Sequence, residues 1–313
     1  MGFDPDAAAA PGTGVFGLPH TRAEAGIVLV PVPWDATVSY GGGTSRGPDA
    51  IRSASAQVDL YDRRFGRVYE RRIFMEPNPE RIAALSVRTR ALTLPLIEKG
   101  GAAEADAATV QRIDAASEDV NAWVHEAVSR VLHERKTPGL VGGEHSTSFG
   151  AIRACAEHFG PIGVFQVDAH MDLRERFEGF AWSHASVTHN VVTRLPRVSK
   201  VVQVGIRDFG EGEMDLGIEE GDRVTTYFDD QWHEAMDGGT PFADLAREAI
   251  AALPERVYVT FDIDGLDPSL CPHTGTPVPG GLSFNQAAML LSMLHESRKQ
   301  IVGFDLVEVA PGP

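Results

Sequence analysis

Seven short runs of aliphatic, largely β-branched residues recur along the chain, at 26–32, 139–141, 162–167, 201–204, 224–228, 257–261 and 301–307. Runs of this length without strict polar alternation predict strands buried on both faces. Between several of them the apolar positions change to helical spacing. Val120, Val124, Val128, Val131 and Leu132 predict a helix over 117–136, with Ser117 as its cap. Further helices are predicted at 147–159 and 242–253. Another starts at Pro48 and turns Ala50, Ile51 and Ala54 towards a core. Ser283-Phe284-Asn285-Gln286 reads as a capping box before a helix over 287–294. Alternation of this kind predicts an α/β fold, a mostly parallel sheet covered by helices on both faces. Residues 66–116 are the least regular stretch. Pro77, Pro79 and Pro95 punctuate it, and Gly100, Gly101 and the alanines that follow predict a loop between short helices. Residues 1–24 read as a flexible arm and 25–313 as a single domain.

Composition narrows the function classes. The chain has 313 residues, 44 acidic against 28 basic, for a net charge of −16. No Lys/Arg stripe interrupts that balance, which argues against a nucleic-acid partner. No apolar run approaches the roughly 20 residues of a membrane span. The N-terminus lacks a basic start followed by an apolar core, so no signal peptide is expected. Cys155 and Cys271 are the only cysteines. Their separation fits neither a metal motif nor a disulfide framework, and a reducing, cytoplasmic setting is expected.

The chemistry gathers at strand ends, where ligands sit in open parallel sheets. Asp168-Ala169-His170-Met171-Asp172 follows the run 162–167, and Asp262-Ile263-Asp264 follows 257–261. Alternate residues of an extended segment share a face, so Asp168, His170 and Asp172 can converge, as can Asp262 and Asp264. Four carboxylates and an imidazole in one place need cations, and carboxylate-rich sites with few histidines suit two hard or borderline divalent ions. Gly142-Gly143-Glu144-His145-Ser146 adds a second histidine at another strand end. His125, His133, His158 and His295 fall on helices and read as surface residues. His189 and His273 read as packing, and Asp267, before Pro268, as a turn-former.

Gly-Gly-Glu-His-Ser, Asp-Ala-His-Met-Asp and Asp-Ile-Asp-Gly-Leu-Asp-Pro, in this order, resemble the ureohydrolase family of arginases and agmatinases, from about residue 26 to residue 309. The resemblance implies a three-layer α/β/α domain and two Mn2+ ions, with Ni2+ as the alternative. It implies that His145, Asp168, Asp172 and Asp262 hold one ion. His170, Asp168, Asp262 and Asp264 would hold the other, so that Asp168 and Asp262 bridge. The reaction implied is hydrolysis of a guanidino compound to urea and an amine, with Asp172 relaying a proton. His184, in Ser183-His184-Ala185-Ser186, matches a proton-shuttle or substrate-contact position. Glu308 matches the carboxylate that grips the guanidinium. Thr276, within Thr274-Gly275-Thr276-Pro277, matches the pocket floor together with Gly280 and Gly281. A homo-oligomer, trimer or hexamer, is expected, with 66–116 as a candidate interface.

The segments 35–44, 57–62 and 178–180 resemble the agmatinase-like branch, which includes guanidine hydrolases. Glu144 stands where Asp is more usual. Arg174 stands where arginases place an asparagine. It reads either as a carboxylate contact for a guanidino acid or as a salt bridge to Glu175 or Glu178. The acidic segment 211–222 reads as a solvated loop, with a contact to a cationic substrate tail as the sharper alternative. Trp34, Tyr40, Phe180 and Trp182 read as packing, with a place near the mouth, suited to a small substrate, as the sharper alternative. The chain stops at Pro313, whereas family members usually continue through another helical segment, so a last C-terminal segment is expected to be missing. Two other classes stay open: a metal-dependent deacetylase using one zinc, and a non-catalytic ureohydrolase-like subunit.

Overall fold

The computed structural model describes residues 3–9 and 13–312. Residues 1–2 and 10–12 of the expected arm, and Pro313, lie outside the described residues. In chain order the elements are β1 (Ile27–Val32), α1 (Gly47–Ala54), β2 (Tyr61–Asp62), β3 (Gly66–Arg67), β4 (Ile73–Met75), α2 (Glu80–Ile97), α3 (Ala107–His133), β5 (Thr137–Gly142) and α4 (Ser148–Phe159). They continue with β6 (Ile162–Val167), α5 (Val187–Arg194), β7 (Val198–Ile206), α6 (Glu211–Glu219), β8 (Val224–Phe228), α7 (Asp229–Asp237), α8 (Phe242–Ala251), β9 (Arg256–Asp262), α9 (Phe284–Glu296) and β10 (Gln300–Val307).

Among the described residues eight strands form one sheet in the order β4-β1-β5-β10-β9-β6-β7-β8. Every neighbouring pair is parallel. All seven expected strands are present, and the edge strand β4 is added to them. Alternation along β6 and β9 separates the two faces. Val164 and Tyr258 pack with Val124 and Val128 of α3, Ile152 of α4 and Val191 of α5. Phe165, Val167, Val257 and Val259 pack with Trp232 of α7, Ile250 of α8 and Leu290 of α9. The result is the expected three-layer α/β/α arrangement. Because both faces are covered, the buried strand β6 reads as an apolar run, broken at Gln166.

The stretch 66–116 departs most from expectation. It contains the 18-residue helix α2 and the first turns of α3, which starts ten residues before the predicted cap. The buried face of α2 consists of Ile82, Ser86, Thr89, Thr93 and Leu96, so its helical period is carried largely by small hydroxyl residues. Pro95 lies in its last turn, where few further backbone bonds depend on it. The segment 211–222 is likewise not a loop over its first nine residues but helix α6. Within the expected arm, Val15 and Leu18 are buried, and Val15 packs against Leu29, Met75 and Val141.

The predicted capping box at α9 forms. Ser283 Oγ accepts from Gln286 N at 3.3 Å, and Gln286 Oε1 accepts from Ser283 N at 2.9 Å. Ser283→Ala is expected to lower unfolding free energy by about 1 kcal/mol while leaving turnover unchanged. A urea unfolding curve read beside an activity assay checks both halves of that statement.

Candidate metal centre

Five adjacent strands, β5, β10, β9, β6 and β7, end at one place. His145 follows β5, Glu308 follows β10, and Asp262 with Asp264 closes β9. Asp168, His170 and Asp172 follow β6. Residues far apart in the sequence thus meet because their strands are neighbours. Thr260 and Asp262 lie on the same face of β9 as Tyr258, and Gln166 and Asp168 share the corresponding face of β6.

His145 Nδ1 lies 2.9 Å from Asp172 Oδ2, 3.0 Å from Asp168 Oδ2 and 3.4 Å from Asp262 Oδ2. These are contacts without hydrogen-bond alignment, and the nitrogen is buried with no hydrogen-bond partner. His170 Nδ1 lies 3.1 Å from Asp264 Oδ2 and 3.6 Å from Asp168 Oδ1. The structure therefore forms two clusters, His145 with Asp168 and Asp172, and His170 with Asp168 and Asp264, that share Asp168. Asp168 faces both imidazoles, one with each oxygen. Asp262 faces His145 with Oδ2, while its Oδ1 accepts from Asp264 N at 2.9 Å.

These ligands are oriented by a shell of buried groups. His145 Nε2 lies 2.8 Å from Thr260 Oγ1, and that hydroxyl donates to Asp305 Oδ1 at 2.7 Å. The hydroxyl's own proton is spent on Asp305, so the Nε2 proton fills the Thr260 contact and Nδ1 is left facing the carboxylates. Gln166 Nε2 donates to Asp168 Oδ2 at 2.8 Å, and Ala169 N donates to Asp264 Oδ1 at 3.0 Å. Sequence reasoning missed Gln166, Thr260 and Asp305 as functional positions. Their signal was a polar residue interrupting an otherwise apolar strand.

The charges are frustrated as they stand. Burial opposes the charged form of His145, but Asp168 and Asp172 outweigh it and hold its pKa well above the usual value. Burial likewise opposes His170, yet Asp264 and Asp168 push it up to about 12. Asp172 is pushed up to about 7, first by burial and then by the charge of Asp168. Burial, then Asp264 and Asp168, raise Asp262 well above the carboxylate range. A divalent cation competes for the Nδ1 lone pairs in place of the protons and neutralises the carboxylates, so the donor set fits such an ion. Two of the backbones are strained to reach this arrangement. Asp172 has φ 54° and Glu308 has φ 60°, in the left-handed region that non-glycine residues seldom occupy.

Glu308 is buried beside the clusters, and its Oε1 accepts from His145 N at 2.8 Å. Burial, followed by the charge of Glu144, raises its pKa well above the usual range. Thr276 Oγ1 approaches Asp264 Oδ2 at 3.5 Å. His184 N donates to Thr37 Oγ1 at 3.1 Å, its Nε2 lies 3.5 Å from Ser39 Oγ, and its Nδ1 is buried without a partner. Burial, then the charge of His170, pulls the His184 pKa down to about 3. Glu144 does not face the metal ligands with its carboxylate. It accepts from Thr37 N and Thr37 Oγ1, each at 2.7 Å, and from Ser146 Oγ at 2.6 Å. Helix α2 supports the same loop, since Ser86 Oγ donates to Asp35 Oδ1 and Arg90 Nη1 donates to Val38 O.

Packing bears on three peripheral readings. Arg174 pairs with neither Glu175 nor Glu178. Its Nε lies 3.2 Å from Glu213 Oε2 and its guanidinium covers the Phe177 ring. Glu213 is buried, because its carboxylate also caps Leu173 N and Gly210 N. Trp34, Phe180 and Trp182 are buried, whereas Tyr40 is exposed. His189 N donates to Asp172 O at 2.9 Å, so the residue helps to hold a candidate ligand through its backbone.

The comparisons with known proteins agree with this geometry. A family model described as the arginase family matches residues 25–312. An N(1)-aminopropylagmatine ureohydrolase of Thermus thermophilus is 32% identical over 303 residues, covering 95% of this chain and 87% of that protein. The proclavaminate amidinohydrolase of Streptomyces clavuligerus is 32% identical over 300 residues, covering 94% and 84%. Among solved structures, the agmatine ureohydrolase of Thermoplasma volcanium superposes with a TM-score of 0.69 at 26% identity, covering 96% of this chain and 86% of that one.

Proposed function

The chain belongs to the arginase family, as a metal-dependent amidino hydrolase of the agmatinase-like branch, and from that premise we propose that it splits agmatine, or a close cationic relative, into urea and an amine. The observation that carries the reading is the pair of His/Asp clusters sharing Asp168 with the buried Glu308 carboxylate alongside. In this reading one Mn2+ is held by His145, Asp168, Asp172 and Asp262, and a second by His170, Asp168, Asp262 and Asp264, with Ni2+ as the alternative metal. Such ions supply a water acidified towards neutrality.

The protein's own groups do the rest. Glu308 accepts hydrogen bonds from the planar guanidinium, whose forked donors match a carboxylate. It thereby presents the central carbon to the attacking oxygen. As the water oxygen forms the C–O bond, Asp172 takes the proton it loses, and that proton goes on towards the alkyl amine nitrogen whose C–N bond breaks. His184, held neutral by burial, relays that proton to the departing nitrogen, taking it at one ring nitrogen as it gives one up from the other, and Thr276 lines the floor. Atoms balance as guanidino compound plus water giving urea plus protonated amine.

The partner is thus a small cationic guanidino compound, with neither nucleic acid nor membrane involved. Among the described residues no helix is long and apolar enough to cross a membrane. A cytoplasmic setting is supported by two buried, free cysteines, Cys155 and Cys271. A trimeric or hexameric assembly belongs to the same proposal. The choice of a cationic tail over a carboxylate is supported by Arg174, whose charge is already offset by buried Glu213. Guanidine and guanidino acids are the competing substrates. Urea release from Mn2+-loaded and Ni2+-loaded protein, with agmatine, guanidine, arginine and 4-guanidinobutyrate in parallel, tests the choice. Highest kcat/KM on agmatine is expected. Preference for guanidine or guanidinobutyrate overturns the substrate, and silence on all four overturns the activity.

A further inference from the structure

We propose that Arg207 is the positioning residue of the second metal cluster, tying the turns that carry His170 and Asp264 into one body with the pocket-floor loop; the inference rests on the binuclear reading above. Arg207 directly follows β7, next to the end of β6. Its backbone N donates to Ala169 O at 2.8 Å, between Asp168 and His170. Its guanidinium then crosses to the β9 side. Nη2 donates to Asp264 O at 2.7 Å, Val278 O at 2.9 Å and Leu266 O at 3.2 Å. Nε donates to Pro279 O at 3.1 Å and Val278 O at 3.2 Å, and Nη1 donates to Gly205 O at 3.0 Å.

Five carbonyls on three segments thus converge on one planar cation. A guanidinium meets such a ring because its donors point outward in a rigid fork, whereas an ammonium is a compact point charge. The loop closes around it at two glycines. A Cβ at Gly281, where φ is 96°, would lie 2.9 Å from Arg207 Nη2 and 2.8 Å from Leu266 C and O. A Cβ at Gly280, where φ is 97°, would lie 2.7 Å from Asp229 Oδ2. Asp229 completes the clamp from the other side, accepting from Gly281 N at 3.0 Å.

The clamp acts unequally on the two clusters. Asp264 is held by Arg207 at its carbonyl and by Ala169 N at Oδ1, and Ala169 is itself held by Arg207. His145, Asp168 and Asp172 have separate supports in Thr260, Gln166 and His189 N. Loss of the clamp therefore loosens the His170–Asp264 set and Thr276, and spares the other.

The test is a two-site Mn2+ titration followed by electron paramagnetic resonance, on wild-type protein, Arg207→Lys and Gly281→Ala, with thermal unfolding of the metal-free proteins alongside. Wild type is expected to take up two ions. Each variant is expected to hold the first as tightly as wild type and the second roughly 10–100-fold more weakly, the range for groups that orient metal ligands. Metal-free melting within a few degrees of wild type is expected for Arg207→Lys. Equal weakening of both sites, or wild-type affinity at both, overturns the inference alone. A wild-type protein that takes up fewer than two ions overturns the binuclear reading and this inference with it.

Discussion

Asp168→Asn is expected to empty both metal sites and to reduce turnover by at least about 10³-fold, since metal ions supply several kcal/mol of transition-state stabilisation and about 4 kcal/mol corresponds to three decades. The reason lies in the geometry of that one side chain. Its Oδ2 faces His145 Nδ1 at 3.0 Å and its Oδ1 faces His170 Nδ1 at 3.6 Å. No other carboxylate among the described residues is found facing both rings. Asparagine keeps the shape and can keep a contact to Gln166, but offers neither the charge nor a second anionic oxygen. Substituting Asp264 instead is expected to cost mainly one ion, because its contacts lie on the His170 side. Metal analysis after desalting, run beside a urea assay, reads both effects. Two ions retained in Asp168→Asn would show that the side chain is not shared.

Glu308→Gln is expected to retain both metals and to lose roughly 30- to 5,000-fold in kcat/KM, the scale of breaking a desolvated charge pair worth 2–5 kcal/mol. The glutamine oxygen can still accept from His145 N, as Glu308 Oε1 does at 2.8 Å, so the local fold is preserved. What disappears is the anion. In the protein as it stands that carboxylate is buried near Glu144, and both effects push its pKa well up. A guanidinium relieves that cost when it binds, so charge removal strikes substrate binding directly. Steady-state kinetics with metal counting distinguishes the outcomes. A variant that loses metal, or one within about threefold of wild-type kcat/KM, a difference well under 1.4 kcal/mol, contradicts the assigned role.

These two side chains also show what was legible in the chain and what was not. The ligand triplet Asp168, His170, Asp172 and the pair Asp262, Asp264 declare themselves because buried strands end in polar turns, and the strand runs are apolar on both faces. The order of strands does not follow from the runs. Only the sheet order β5-β10-β9-β6-β7 puts Glu308 between the His145 turn and the Asp262 turn. Helix α2 escaped notice because its buried stripe is Ser86, Thr89 and Thr93 between two aliphatic ends, and hydrophobic periodicity does not register hydroxyls. Two of those hydroxyls reach the loop that carries Thr37, Ser86 donating to Asp35 Oδ1 and Thr93 to Ala36 O.

Glu213 looked like one acid in an acidic segment. Its carboxylate caps backbone groups of Leu173 and Gly210 and is buried. Arg207 was invisible for a related reason. Its partners are carbonyl oxygens, which every residue carries and no sequence pattern marks. Gln166, Thr260 and Asp305 were visible in principle. Each breaks an apolar strand with a polar side chain, and a buried polar group needs a partner. Each of the three lies within three residues of a candidate ligand or of Glu308.

The central claim is that two ions sit on either side of Asp168. Anomalous diffraction at the manganese edge from Mn2+-loaded crystals tests it most directly. Two peaks about 3.5–4 Å apart, one against His145 Nδ1 and one against His170 Nδ1, are predicted. A single fully occupied peak, or two peaks that do not both contact Asp168, would contradict the account.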